Sequence, residues 1–311
     1  HPQHLVSGMV SGIVSGHYAP DDCSIPIAPL AEAAKAAFVP SAAVAVDAAA
    51  RSVSLANGET LHYDALSLDI GAAPDRDAVP GAREHALFTR PTQQFTQLWQ
   101  GLIELAQTRS LSVVVLGAGA SAVELAFSLQ HRLRERARVS LVTGGAPPLP
   151  DSGAGLRERA LRTLKARGVT LFTQRCTEIT ERHVVLASGA RLICDAPLAA
   201  LPGIAPDWLG RSGLALDEHG FVAAGATLQS LSHAAVFVAG DAALLALNLR
   251  RYIAGGELQT ARRRSTSLEL LSCGDRTAIV SWRGWSAQGR CVGWWKERAE
   301  RRFVRGVSRG V

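Results

Sequence analysis

The chain contains no run approaching about 18 uninterrupted apolar residues, so no membrane-spanning helix is expected. His1 to Val14 lacks a basic n-region and a clear apolar core, so no secretory signal is read there. The five cysteines (Cys23, Cys176, Cys194, Cys273, Cys291) include no C-x-x-C. That spacing suggests no metal site, and the odd count favours reduced thiols in a cytoplasmic protein over a disulfide framework. No aromatic platform or binding motif accompanies the basic residues, so no nucleic-acid partner is expected. What is present is globular in kind: 311 residues, 47% hydrophobic and 19% charged, long enough for two or more domains. The net charge of +6 is unevenly placed. Gln259 to Val311 holds 12 Lys/Arg against 4 Asp/Glu, together with four of the six tryptophans, while the remainder is slightly acidic.

The most informative stretch is Ser112-Val-Val-Val-Leu-Gly-Ala-Gly-Ala-Ser-Ala-Val-Glu124. Val113 to Leu116 reads as a buried parallel strand. Gly117, Gly119 and Ala122 follow in G-x-G-x-x-A spacing, and Leu125, Leu129 and Leu133 continue at helical period. Gly117 permits the tight turn. Gly119, lacking Cβ, lets a pyrophosphate approach the backbone, and Ala122 lets helix and strand pack closely. The helix N-terminus then offers N–H groups to the anion. The alternative is a tight strand–helix turn with no ligand.

The rest of the chain reads as further α/β units. Ile27 to Val39 is expected to be a helix, as are Phe95 to Gln107, the segment after Glu124 to about Arg136, and Gly155 to Arg167, the last closed by Gly168. Short strands are expected at Val44–Val46, Val53–Leu55, Leu61–Tyr63, Ala65–Ile70, Val139–Val142 and Val169–Thr173. Asn57-Gly58 predicts a type I′ hairpin. Residues 53–65, VSLANGETLHYDA, resemble residues 184–196, VVLASGARLICDA. Two tandem dinucleotide-type units, each ending in a small antiparallel meander, produce such a repeat; chance likeness of two hairpins is the alternative. Gly117 precedes Gly189 by 72 residues, so the first unit's glycine motif falls ahead of residue 1. Its opening strand, glycine loop and helix are therefore expected to be missing from the chain. Val236 to Ala239 reads as a buried strand ending in Gly240-Asp241, where a carboxylate can accept hydrogen bonds from ligand hydroxyls or cap a helix. In the tail, Ser267–Leu271 and Ala278–Trp282 read as strands and Gly293–Val304 as a helix with Trp295, Ala299 and Phe303 on one face. That helix either packs on protein or, through 293–305, lies on an anionic membrane surface.

Together these pieces resemble the FAD-dependent pyridine nucleotide–disulfide oxidoreductases, in particular the type II NADH dehydrogenase-like branch, including the kind fused to selenophosphate synthetase. Ser7-Gly-Met9 with Gly16-His-Tyr18, Leu68-Asp-Ile-Gly71, Val236-Phe-Val-Ala-Gly-Asp241, Leu270-Leu-Ser-Cys-Gly-Asp275 and Trp294-Trp-Lys296 carry the resemblance alongside the glycine motif. It implies two Rossmann-like dinucleotide-binding domains, the NAD domain inserted in the FAD domain, plus a small C-terminal α+β module. The implied boundaries are 1–90 and 199–258 for FAD, 91–198 for NAD(P)H and 259–311 for the module. It implies Gly117, Gly119, Ala122 and Glu124 at NAD(P)H, and Gly71, Gly240 and Asp241 at FAD. It further implies hydride transfer from NAD(P)H to FAD and electron transfer to a quinone-like acceptor, in a cytoplasmic protein that is peripheral on the inner membrane face if the tail binds lipid. Five departures stand out. The FAD-side glycine motif is absent, and Gly240-Asp241 is followed almost at once by Asn248-Leu-Arg-Arg251. Ala199-Ala-Leu-Pro-Gly203 replaces a second A-T-G, and Thr143 stands where an acidic residue would bond the adenosine ribose, with Arg157 or Arg159 either near a 2′-phosphate or on a solvated face. The paired redox cysteines are missing. An FAD-less scaffold and a sulfide:quinone oxidoreductase-like enzyme, the latter disfavoured by the cysteines, are the alternatives. The motifs do not fix the acceptor, NADH against NADPH, or the oligomeric state.

Overall fold

The computed structural model describes residues 3–240, 242–261 and 268–308. The chain divides into two compact units, one built mainly from 39–73 and 203–265, the other from 2–38, 74–202 and 266–311.

In the first unit, Ala43–Asp47, Ser52–Leu55 and Thr60–His62 form an antiparallel meander in sequence order. The strand Leu66–Leu68 pairs in parallel with Val236–Val238. Val46, Leu68, Leu209, Leu214, Val222 and Val236 make the core. The helix Ala242–Ile253 packs on it through an edge-to-face contact of Tyr252 with Phe237.

The second unit is organised on a five-stranded parallel sheet. Its order is Thr170–Phe172, Ala137–Val142, Leu111–Leu116, Ala196–Ala199, Leu87–Phe88. Leu111–Leu116 occupies the centre because both of its faces are apolar. Val113 and Val115 join one core with Leu125, Phe127 and Leu129 of the helix Ala120–Leu133. Val114 and Leu116 join another with Ile179, Val184 and Leu186 of a second meander, Cys176–Ile179, His183–Leu186 and Arg191–Ile193. Each such side chain gains roughly 1.5–3 kcal/mol on burial. The C-terminal module in this unit is an antiparallel sheet, Glu269–Ser272, Ala278–Trp282 and Trp285–Gly289, followed by the helix Arg290–Ser308.

The sequence repeat is a structural repeat. In the first meander Gly58 N–H donates to Leu55 O at 3.0 Å and Leu55 N–H to Glu59 O at 2.8 Å. In the second, Gly189 donates to Leu186 at 2.8 Å and Leu186 to Ala190 at 2.9 Å, at the aligned positions. Only the glycines have positive φ, 89° and 83°. The Asn57-Gly58 turn is therefore not type I′, which needs two positive φ values; it is a three-residue loop with glycine at its left-handed end. The helix expected over 27–39 ends at Ala33, because Lys35 turns to φ 54° and its N–H closes on Glu32. The helix Ala154–Ala166 ends as expected around Gly168 (φ 71°), with Val169 N–H on Leu164 O and Gly168 N–H on Lys165 O.

In the C-terminal helix the face that carries Trp295 and Phe303 is not the packed one. Trp295 is 44% exposed and Phe303 57%, whereas Val304 is buried and Lys296 and Glu300 point inward. The inward stripe is polar because it meets buried polar partners, described next.

Candidate nucleotide-binding site

The motif strand Leu111–Leu116 delivers Gly117 with φ 139°, a region closed to other residues. A Cβ there would run into the Ala200 carbonyl and lie 3.1 Å from the Ala122 Cβ. Two residues on, Gly119 is the N-cap of the helix Ala120–Leu133 with ordinary extended angles, and a Cβ there would meet nothing within 4 Å. The two glycines thus do different work. The first is fixed by packing, and the second faces open space. Ala122 is fully buried, and the earliest helix bonds are those of Ala122 and Val123 N–H to Gly119 O. The loop after Val142 folds back onto the motif, with Leu149 N–H donating to Ala118 O at 2.7 Å. A small cleft of about 140 Å³ flanks the first turns of the helix, lined by Ser121, Glu124 and Leu125 with Ser7, Gly8, Ser11, Thr89 and Arg90. Ser7 and Gly8, noted in the sequence far from the glycine motif, are brought to its side.

Glu124 is held from the other side. Its Oε1 accepts the Ser272 N–H, and Lys296 Nζ lies 3.7 Å away. Lys296 also pairs with Glu300, which accepts the Tyr18 hydroxyl at 3.0 Å. Burial pushes the Glu124 carboxyl above its usual range against the pull of Lys296 and Ser272. Burial works against charge on Lys296, yet the carboxylates of Glu124 and Glu300 hold its pKa above the usual value. This network was not legible in the sequence; the i, i+4 spacing of Lys296 and Glu300 was its one signal.

Thr143, in place of the ribose-binding acid, is buried and donates its hydroxyl to Ala146 O. Neither arginine considered for a 2′-phosphate lies on a solvated face with its guanidinium free. Arg157 donates to the carbonyls of Leu149, Pro150 and Ser152 at 3.2, 2.8 and 3.1 Å. Arg159 donates to Ser286 Oγ and O at 3.0 and 2.9 Å.

In the first unit, Gly71 and Gly240 lie just beyond the C-terminal ends of two hydrogen-bonded parallel strands, tied by Ala239 N–H to Leu68 O at 2.9 Å. Both are exposed, and a Cβ on Gly71, at φ 62°, would meet nothing within 4 Å. A Cβ on Gly240 would instead lie 3.0 Å from Leu228 Cδ2, so Gly71 is the open one of the two, and exposed glycines at adjacent strand ends fit the approach of a nucleotide cofactor. Asp241 lies outside the described residues. Of the five cysteines, Cys23, Cys176, Cys194 and Cys273 are buried and Cys291 is exposed. Burial pushes the thiols of Cys23 and Cys194 up to about 12 and that of Cys273 to about 11, far from the thiolate that redox chemistry needs.

A family model for pyridine nucleotide-disulphide oxidoreductase matches residues 25–266. The chain belongs to the pyridine nucleotide-disulphide oxidoreductase family. Within that family it is 31% identical over 131 residues to demethylphylloquinone reductase NdbB of Synechocystis sp., covering 41% of this chain and 32% of that protein. It is also 31% identical over 126 residues to the alternative NAD(P)H-ubiquinone oxidoreductase C1 of Arabidopsis thaliana, covering 39% and 24%. The matches thus span a third or less of these curated relatives. Among solved structures, the sulfide:quinone oxidoreductase of Aquifex aeolicus superposes with TM-score 0.84 at 15% identity over 100% of this chain and 84% of that one. NDH2 of Plasmodium falciparum, in complex with NADH, gives 0.78 at 10% identity, covering 99% and 91%. At these identities the likeness is one of fold, the Rossmann-type α/β architecture expected from the glycine motif and the repeat.

Proposed function

We propose that the chain is the dinucleotide-handling part of an FAD-dependent NAD(P)H oxidoreductase that delivers electrons to a quinone. The observation that carries the reading is the geometry of Gly117–Ala122, where a packing-fixed glycine sets the turn and an open glycine leaves the helix N-terminus free for a pyrophosphate. The curated relatives named above are quinone reductases, which supports the acceptor class. FAD, when bound, would supply the ring that accepts the hydride and passes the electrons to the quinone. The chain's own residues bind and orient. Gly119 and the first turn of the helix take the diphosphate. Ser121 and Glu124 border the cleft beside it, and Lys296 and Ser272 fix the Glu124 carboxyl in place. Gly71 and Gly240, with Asp241, are the flavin-side positions.

Membrane contact is part of the proposal. Among the described residues no helix is long and apolar enough to cross a membrane. The C-terminal helix nevertheless leaves Trp294, Trp295 and Phe303 exposed beside Arg298, Arg301, Arg302 and Arg305. Arg298 stacks over Trp294 at 5.6 Å. Exposed aromatic residues interleaved with basic ones on this helix support seating at an anionic lipid interface, peripheral on the inner face. The sulfide:quinone alternative needs reactive paired cysteines, and the buried, un-ionised thiols speak against it.

The test is oxidation of NADH and NADPH by the FAD-supplemented chain with a soluble quinone, with and without vesicles of anionic lipid. The reading requires quinone-dependent turnover and sedimentation with anionic but not neutral vesicles. Absence of turnover together with absence of dinucleotide binding overturns it.

A further inference from the structure

Three loops meet at the carboxyl end of the sheet beyond the strand Ala137–Val142. Thr143 N–H donates to Phe172 O at 2.9 Å and Gly144 N–H to Gln174 O at 3.2 Å. Ala187 N–H donates to Arg175 O at 2.9 Å, and the Gln174 side chain accepts the Ser188 N–H at 3.2 Å. In a Rossmann-type unit this corner receives the adenosine ribose, and the residue after the second strand reads its 2′ position. A free 2′-hydroxyl is recognised by a carboxylate that accepts its hydrogen bond. A 2′-phosphate is recognised by cations and N–H donors.

The three loops bring N–H donors to the corner and carry no carboxylate of their own. No Asp or Glu occurs between Glu135 and Asp151, between Thr170 and Thr177, or from Ala187 to Ala190. The Thr143 hydroxyl is already spent on Ala146 O. Gly144 and Gly145 follow with φ of 75° and 103°, and a Cβ on either would meet nothing within 4 Å, so the backbone is bare to approach. The N–H groups of Gly145 and Ala146 have no protein partner among the described residues. Consecutive donors in such a turn make an anion-binding concavity. Arg175 follows directly on Gln174, whose carbonyl accepts the Gly144 N–H at 3.2 Å, so its backbone lies next to the turn. It is exposed, and its guanidinium has no partner among the described residues, whereas Arg157 and Arg159 are consumed by loop carbonyls and Ser286.

We propose that this corner selects the 2′-phosphorylated dinucleotide, NADPH over NADH, with Arg175 as the specificity-determining residue and the Gly144–Ala146 turn as its backbone partner. The proposal rests on the dinucleotide reading given above and names its donor.

Calorimetric titration of the full chain with NADP⁺ and NAD⁺, and with the fragments 2′,5′-ADP and 5′-AMP, tests it. The phosphorylated member of each pair is expected to bind at least about tenfold more tightly, the size of one good charge-assisted contact in a partly exposed site. Arg175→Glu should erase or reverse that preference by weakening NADP⁺ at least about tenfold while NAD⁺ affinity holds or rises, and Arg175→Gln should fall between the native chain and Arg175→Glu. Because Arg175 is exposed, both variants are expected to keep the native melting temperature. Equal or tighter binding of NAD⁺ by the native chain, or a loss in Arg175→Glu that falls equally on both nucleotides, overturns the specificity proposal alone. Failure of all four ligands to bind overturns the dinucleotide reading beneath it.

Discussion

Gly117 and Gly119 stand two residues apart in one motif, and the structure assigns them opposite responses to substitution. Gly117→Ala places a methyl group against the Ala200 carbonyl, on a strand end that is fixed by the Ala200 N–H to Leu116 O bond at 2.9 Å. It also forces an alanine to φ 139°. The strained backbone costs about 1–3 kcal/mol and the overpacking about another 1–3, so a loss of about 2–6 kcal/mol is expected. Gly119→Asp meets no atom within 4 Å and keeps φ −74°. Aspartate is a better N-cap than glycine by a few tenths of a kcal/mol and adds about 0.3–1 kcal/mol with the helix dipole, so stability should hold or rise. Its carboxylate, however, occupies the place proposed for the pyrophosphate, and dinucleotide affinity should fall by at least about tenfold. Urea denaturation and calorimetric titration read the two quantities separately. With m of about 2–3 kcal/mol/M, Gly117→Ala should lower the urea midpoint by about 1 M or more, and Gly119→Asp should leave it unchanged or raised. The reasoning is refuted if Gly119→Asp destabilises as much as Gly117→Ala, or if it binds dinucleotide as the native chain does.

Other consequences follow from the same geometry. Lys296→Met strands Glu124 and Glu300 in a half-buried site, so a loss of about 3–5 kcal/mol is expected, partly restored by adding Glu124→Gln; thermal unfolding of the single and double variants checks this. Burial acts to raise the Asp195 pKa, but the Ser112 N–H and Arg109 guanidinium, both at 2.7 Å, outweigh it and hold the carboxyl below its usual range. The folded pKa is therefore below the unfolded value of about 3.9, so this contribution is complete above it and is lost as pH falls through the folded value. Asp195→Asn should flatten that part of the acid-unfolding curve, and an unchanged curve would contradict the assignment. Among the cysteines, Cys291 alone is exposed, so one thiol should react quickly with a maleimide in the native protein and the other four only on unfolding.

Much of the fold could be read in the sequence because it rests on local signals. The apolar run Val113–Leu116 with Gly117 and Gly119 specifies a strand–turn–helix unit by itself, and the likeness of 53–65 to 184–196 marks two meanders with the same turn. What could not be read depends on tertiary partners. The residues from Ala34 to Val39 have the composition of a helix, yet Lys35 adopts a left-handed angle that no local pattern announces. The pattern of the C-terminal helix leaves open whether Trp295 and Phe303 pack on protein or face a membrane surface. The helix turns Lys296 and Glu300 inward instead, because Glu124 and Tyr18 wait there, more than 150 residues away in the chain. Arg157 and Arg159, on a basic amphipathic helix, look like solvated residues, but they hold the loop carbonyls and Ser286. Arg175, in a sequence context with no motif, becomes conspicuous only once the parallel register sets Val142 beside Phe172.

The central claim is that this chain binds a flavin and a nicotinamide dinucleotide for electron transfer. Its most direct test is an anaerobic absorbance spectrum of the purified protein after incubation with FAD and removal of the excess, recorded before and after NADPH and NADH. The account predicts retained flavin bands that bleach with NADPH at lower concentration than with NADH and return on adding a soluble quinone. A protein that stays colourless after incubation with FAD, or whose flavin is bleached by neither nucleotide, contradicts it.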